Sequence, residues 1–581
     1  MTMAIFERVL ARSHGQFKQF LILTRHFFQR LFINDIVFFE ESMQQKVIAI
    51  IAILAVFSGH LSTVLLTKYL WFKDENTSWV EKCYFLLFAM LVMGFVSALE
   101  WDIIFPDSRD YSNFMPLPLK VRTIFFSKFA SFMLFICLFA AAIASVSTIV
   151  FWIHLPRWQS PTLIFSIRFV LTHIVTVFAA CISVSFIFAF LIGILMVVLG
   201  RRIFNSISVY IRSLMMIALV FLMSFFLIEL MDISRVFPSL PALKQGNSQF
   251  LYLFPPMWFA GLYETLLGNT DPFFQALANR AVPAIILPLV AFFMISAVGY
   301  KTYLKKTGEM KRRKTHLKTI KKGMEAGFNA VFLKNPIQRA VFYFFRNTIK
   351  KNNLHRMRLA SYIVVAVGIV LILLTAKTTA LGSFDSFDKT ILSIPFILSF
   401  FLVFGIRATS QIPVAIQANW IFKLAEISDK KHYVNGFKKG IIFYAVLPLF
   451  VVLYVFYTSL WGWMIALFFC LFGFAVSTLL VEIVFINQRK IPFACTYLPG
   501  KGKLHIFWIV YLGSLIAYIS IMSSVAYKLL LNPTGFISFS AIFLLLFVSI
   551  RLVQNRVFLH DAEIIYEEKP EPILVTLVPE I

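Results

Sequence analysis

The chain is 581 residues long, 60% hydrophobic and only 14% charged, with a mean hydropathy of +0.82. A soluble globular chain is about half apolar and a quarter charged, so here the missing polar surface must face lipid, and a soluble protein is excluded. The net charge of +26 does not require nucleic acid, because a membrane protein gathers Lys and Arg in its cytoplasmic loops.

The five cysteines form no CxxC pair, which argues against a disulfide framework or a zinc site. The first apolar run begins near Val47, behind a long basic segment, whereas a cleavable signal peptide would start much earlier.

A bilayer core about 30 Å thick needs roughly 20 apolar helical residues. Runs of that kind are Val47 to Leu66, Cys83 to Ile104, Phe129 to Ile153, Phe169 to Leu199, Ile211 to Leu230 and Ala281 to Tyr300. After a break come Ser361 to Ala376, Ile391 to Ile406, Ile441 to Leu460, Trp461 to Ile486, Leu504 to Tyr527 and Phe536 to Ile550. The predicted fold is all-α and polytopic, with about twelve transmembrane helices in two six-helix halves. The turn at Leu460 is the least marked, because the runs on either side touch.

Loop charge supports the even count. Arg8, Arg12, Lys18, Arg25 and Arg30 precede the first run; Arg109, Lys120, Arg122 and Lys128 follow the second; Arg201 and Arg202 follow the fourth. The central loop holds the largest cluster, including Lys311, Arg312, Arg313 and Lys314. Lys423, Lys430, Lys431, Lys438 and Lys439 follow the eighth run, and Arg489, Lys490, Lys501 and Lys503 the tenth. The odd-numbered loops are nearer neutral. This alternation places both termini in the cytoplasm, with Asn76 and Asp271 outside.

Each half opens on a basic amphipathic stretch. In the first, Phe17, Phe20, Leu21, Phe27, Phe28 and Leu31 share a face at helical spacing. In the second, Asn335-Pro336 reads as a cap and a first-turn proline, and Ile337, Val341, Phe344 and Phe345 line one face. Such helices can lie in the membrane interface.

The expected organisation is an N-terminal amphipathic segment over 1–46, a first six-span half over 47–300 and a basic connector with an amphipathic helix over 301–359. A second six-span half over 360–553 and a cytoplasmic tail over 554–581 follow. The duplication rests on layout, since the halves share no strong residue-level identity.

Acidic residues within spans are few. Glu229 and Asp232 sit at an outer end and Glu482 near an inner one, where snorkelling or capping is the expected role. His60 and His173 read as packing residues.

The catalytic signatures are missing: there is no GxxxxGK[ST], HExxH or GxSxG, and Gly500-Lys501-Gly502-Lys503 has the wrong spacing for a P-loop. No catalytic, cofactor-binding or metal-binding residue is assigned. Two loops are long and mix charge with apolar anchors. One runs through Pro106-Asp107-Ser108-Arg109-Asp110-Tyr111, the other from Gln411 to Lys439. Each reads either as a docking surface or as a solvated, positive-inside loop. Between Met231 and Arg280, the apolar stretch from Phe250 to Leu267 is broken by Pro255-Pro256. It is expected to be an external gate helix, or else to lie flat on the outer surface.

The run from Trp101 to Tyr111, continuing through Pro116-Leu117-Pro118, resembles the loop after the second span in large bacterial ABC-2 type permeases. Lys490-Ile491-Pro492-Phe493 with Tyr497 to Lys501, and Phe254-Pro255-Pro256-Met257-Trp258-Phe259, have a similar look. The resemblance implies a bacterial inner-membrane permease, an exporter whose ATP and Mg are bound by a separate ATPase present in two copies. It also implies that Asp107, Arg109 and Asp110, with Glu426, Lys430 and Lys431 in the second half, dock that ATPase. Pro255, Pro256 and Trp258 would belong to an external gate segment that re-enters the membrane. Many such permeases have one six-span unit and dimerise, whereas this chain holds two. The alternative is a twelve-span carrier driven by an ion gradient, for which acidic groups nearer the midplane are expected.

Overall fold

The computed structural model describes residues 17–31, 43–67, 78–100, 114, 117, 119–155, 162–231, 244, 249–306, 328–329, 332–381, 388–414, 424, 431–488, 490–495, 504–532 and 534–558. Among them there is no strand, and twelve helical segments are long and apolar enough to cross a membrane. The chain is therefore an all-α, multi-pass membrane protein. It folds as two compact units that divide between Lys311 and Arg312.

The first unit begins with α1 (17–31), which lies across the start of the third span, α4 (Val121–His154). Ser127 and Ser131 of α4 donate hydrogen bonds to the carbonyls of Phe20 and Thr24, and the Lys128 ammonium sits 5.1 Å over the Phe27 ring. These contacts bury Leu23, Thr24, Phe27 and Leu31 and leave Phe17 and Leu21 exposed. The expected face is thus split. Polar contacts to α4, not the count of apolar residues, set the helix's rotation. The end of each unit where its amphipathic helix docks is called basal below, and the opposite end distal.

The first span, α2 (Met43–Leu66), packs its Gly59 against Val146 of α4, and His60 is exposed rather than packed. The second span is α3 (Ser78–Leu99). The fourth and fifth spans lie in one helically bonded stretch of 69 residues, α5 (Leu163–Met231). At 1.5 Å per residue a straight helix of that length would run about 100 Å. It is not straight. A methyl group on Gly94 of α3 would lie 3.4 Å from both Val184 and Leu219, and neighbouring Tyr84 and Phe85 touch Phe226 and His173 respectively. Those pairs require the chain to fold back near Gly200-Arg201-Arg202, where the loop after the fourth span is expected.

The unit closes with α6 (Gln249–Leu253), α7 (Pro255–Leu267) and the sixth span, α8 (Pro272–Lys306).

In the second unit α9 (Pro336–Lys351) begins as expected. Asn335 Oδ1 accepts from the Ile337 N–H at 2.9 Å, and Pro336 occupies the first turn. Val341, Phe342 and Phe345 are buried. The seventh and eighth spans are α10 (Asn353–Leu381) and α11 (Lys389–Ser410). The ninth begins earlier than its apolar run, as α12 (Lys431–Ile441), and continues through a π-turn (Ile442–Val446) into α13 (Leu447–Trp461). Pro448 lacks the N–H that would bond to the Tyr444 carbonyl, and the π-turn absorbs the missing bond.

Gly462, at φ 81°, separates α13 from the tenth span, α14 (Trp463–Val484). The break thus falls two residues beyond the expected Leu460, at the residue that tolerates a left-handed backbone. The last spans are α15 (Leu504–Leu531) and α16 (Gly535–Val553), the latter ending in a second π-turn (Gln554–Phe558).

Candidate functional site

The short helix α7 does not stand off the distal end of the first unit. Its residues Pro256, Met257, Phe259, Ala260 and Tyr263 are buried. Pro255 and Pro256 open it, where missing N–H groups cost nothing. Gly268, at φ 99°, closes it, and the N–H groups of Gly268 and Asn269 return to the Thr265 and Glu264 carbonyls. The chain then reverses into α8.

The two arms touch closely: a methyl on Gly261 would lie 2.5 Å from Leu277 Cβ and 2.8 Å from the Phe274 carbonyl oxygen. At about 20 Å, α7 is the short arm of a helical hairpin that stops partway along the spans. Trp258 anchors its first turn by donating its indole N–H to the Tyr252 carbonyl at 2.8 Å. Arg280 of α8 donates to the same carbonyl.

The last turn of α7 enters a buried polar cluster. Lys82 of α3 pairs with Glu264 at 2.6 Å, their side chains 4% and 10% exposed, and the ammonium lies 5.0 Å over the Tyr263 ring. Glu264 also accepts from Asn269. Tyr263 and Ser147 lie 3.2 and 3.1 Å from the two ring nitrogens of His173. His173 is thus satisfied and buried, as a packing histidine should be, but within a network joining α4, α5 and α7.

Outside the spans, Lys244 pairs with Asp271 at 2.7 Å and lies 4.3 Å over the Phe274 ring. That hydrogen bond holds the Asp271 carboxyl below its ordinary pKa. Arg168 of α5 donates to the Leu266 carbonyl at 2.6 Å and lies against Gly268.

The second unit places its buried charge at the opposite, basal end. Lys438 of α12 meets Glu482 of α14 at 2.5 Å, each 1% exposed, and Arg551 of α16 reaches the same carboxylate at 3.1 Å. Gln554 accepts from Lys438 at 2.7 Å and donates to the Phe485 and Ile486 carbonyls. Glu482 therefore neither snorkels nor caps; it is the shared anion of a three-helix clamp. Beside it, Ile491, Phe493 and Cys495 are buried, and Phe493, at φ 63°, exchanges backbone hydrogen bonds with Ser410 and Val414. Burial raises the Cys495 thiol's pKa.

Of the docking residues expected from sequence, Lys431 opens α12 and is half-buried. Asp107, Arg109, Asp110, Glu426 and Lys430 lie outside the described residues. So do Asp232, Tyr497 to Lys503 and the connector residues 307–327. Lys82, Glu264, Lys438, Arg551 and Gln554 were missed as site residues. For the four charged ones the sequence signals that a charge inside or beside an apolar run needs a partner, but not which partner.

No family model, curated protein or solved structure matches this chain.

Proposed function

We propose that the protein is the membrane-spanning subunit of an ATP-driven exporter in a bacterial inner membrane, energised by two copies of a separate ATPase that bind ATP and Mg. The observation that carries this reading is α7, a proline-opened helix buried partway along the distal half of the first unit and tied to three spans. It has the build of a plug that closes a pathway from outside. The amphipathic helices support it further. Each crosses the start of the span that follows a long mixed-charge loop, so force applied to that loop would reach the span directly. On this reading the loops containing Asp107, Arg109 and Asp110, and Glu426, Lys430 and Lys431, receive the ATPases, and both termini are cytoplasmic.

Co-purification in mild detergent tests it: an ATPase chain should be recovered in twofold ratio. Charge reversal at Asp107, Arg109 and Asp110 together should uncouple hydrolysis from transport while the chain still inserts. Normal ATPase association and stimulation in that variant would remove the docking assignment.

A second reading, an ion-coupled carrier, is favoured by one observation. Lys82, Glu264, His173 and Tyr263 form a buried titratable cluster of the kind that proton-driven carriers use. Flux driven by an ion gradient without ATP would select it.

A further inference from the structure

The twelfth span differs from the others in that none of the nineteen residues of α16 is buried. Phe536 and Phe539 reach Phe468 and Phe472 of α14, while Ile537, Ile542, Leu544 and Leu545 stand exposed along the helix. Its basal end carries the reverse of that apolar surface. Among the described residues, four cations stand at that end, Lys438, Lys439, Arg551 and Arg556, with one carboxylate, Glu482, a formal excess of three positive charges.

Glu482 is fully buried and engaged by Lys438 and Arg551. Lys439 donates only to neutral acceptors, the Phe332 carbonyl at 2.8 Å and Gln338 Oε1 at 2.9 Å. The Arg551 side chain is 44% exposed despite its pairing, and Arg556 is exposed in the π-turn just beyond. A cationic concentration beside a helix with no buried residue fits one chemistry: an anionic headgroup joined to acyl chains.

We propose that the basal end of α16 binds an anionic phospholipid, with its chains along α16 and its phosphate held by Lys439, Arg551 and Arg556. The site is independent of what the protein transports or what drives it.

The test uses the full chain in phosphatidylcholine nanodiscs doped with a photoactivatable phosphatidylglycerol, or with a phosphatidylcholine carrying the same acyl probe. Labelled peptides are then mapped. The phosphatidylglycerol probe should label the 540–556 segment in excess over its neutral counterpart. Each basic residue removed should cut that excess by about fivefold. Arg556→Gln carries the test by itself, because its exposed side chain leaves the buried clamp intact; Lys439→Gln extends it. Equal labelling by the two probes overturns the proposal, as does an excess that Arg556→Gln leaves unchanged. Loss of the excess on adding inorganic phosphate would make free phosphate the ligand. Excess labelling that emerges only after neutralising Asp561, Glu563, Glu567 and Glu568 would make the acidic tail the occupant. Either result overturns the lipid assignment.

Discussion

In both units an amphipathic helix crosses the first turns of the third span, and in both it crosses at small residues four apart. Ser127 and Ser131 do this in the first unit by donating to carbonyls of α1. Gly436 and Gly440 do it in the second by lying against the Gln338 backbone and the Phe345 ring. Beyond that shared opening the units diverge. Among the described residues, the first places its buried ion pair distally, at Lys82 and Glu264; the second places its own basally, around Lys438, Glu482 and Arg551. The long connections follow the same division. The first unit elaborates the link between its fifth and sixth spans, the second the link between its fourth and fifth. The two units thus carry their buried ion pairs at opposite ends of a similar layout.

Removing charges one at a time should expose the difference most strongly in the second unit. Its clamp sets two cations against one anion, so Glu482→Gln leaves two cations without a counter-charge, whereas Lys438→Met or Arg551→Gln leaves one complete pair. Glu482→Gln should cost about 3–5 kcal/mol and either other substitution clearly less. Unfolding of purified protein in detergent measures this, and equal losses in all three variants would falsify the shared-anion account.

The distal pair of the first unit is balanced one to one. Lys82→Gln and Glu264→Gln should therefore be comparably damaging, each by a few kcal/mol, and the double change Lys82→Met with Glu264→Leu milder than either. A double variant as unstable as the worse single one would show that Tyr263 and His173 depend on the pair for their positions.

Close approach gives a smaller effect in both units. Gly261→Ala and Gly436→Ala should each cost about 1–3 kcal/mol, because the neighbouring groups in each case are backbone or Cβ and cannot swing away. Gly462→Ala meets nothing within 4 Å and tests backbone conformation alone. It should cost about 1–3 kcal/mol.

The smallest effect is that of pH on the Lys244–Asp271 strap. The Asp271 pKa is lowered, so its stabilisation is present above the ordinary carboxylate value of 3.8 and is lost as pH falls through the lowered one. Asp271→Asn should flatten that acid limb by slightly lowering stability at neutral pH, toward the level kept at acid pH. An acid limb identical in the variant would assign it to another group.

Span number and fold class were legible because length and hydropathy alone decide them. The cap at Asn335 and the interruption at Pro255-Pro256 were legible because each is a local rule, although the prolines open α7 as well as break the stretch. Rotation was not: the buried face of α1 depends on Ser127 and Ser131, a hundred residues away. Nor were the charge clusters, since Lys82 and Glu264 are distant in sequence and each alone looks like an interfacial residue. The turn expected at Leu460 and the snorkelling or capping role expected of Glu482 failed for related reasons. A two-residue shift of a break is invisible in hydropathy, and a single carboxylate near a helix end does not announce two partners on other helices.

The folded-back α5 has a mechanical consequence. Its fourth and fifth spans follow one another with no non-helical residue between them, so the bend leaves no slack loop. A pair of prongs on a common stem cannot slide past one another; a twist given to one is delivered to the other. The corresponding spans of the second unit, α14 and α15, are instead separated by a connection from Phe485 to Lys503, whose residues Ile491, Phe493 and Cys495 are packed into the unit, so the two spans are not joined directly.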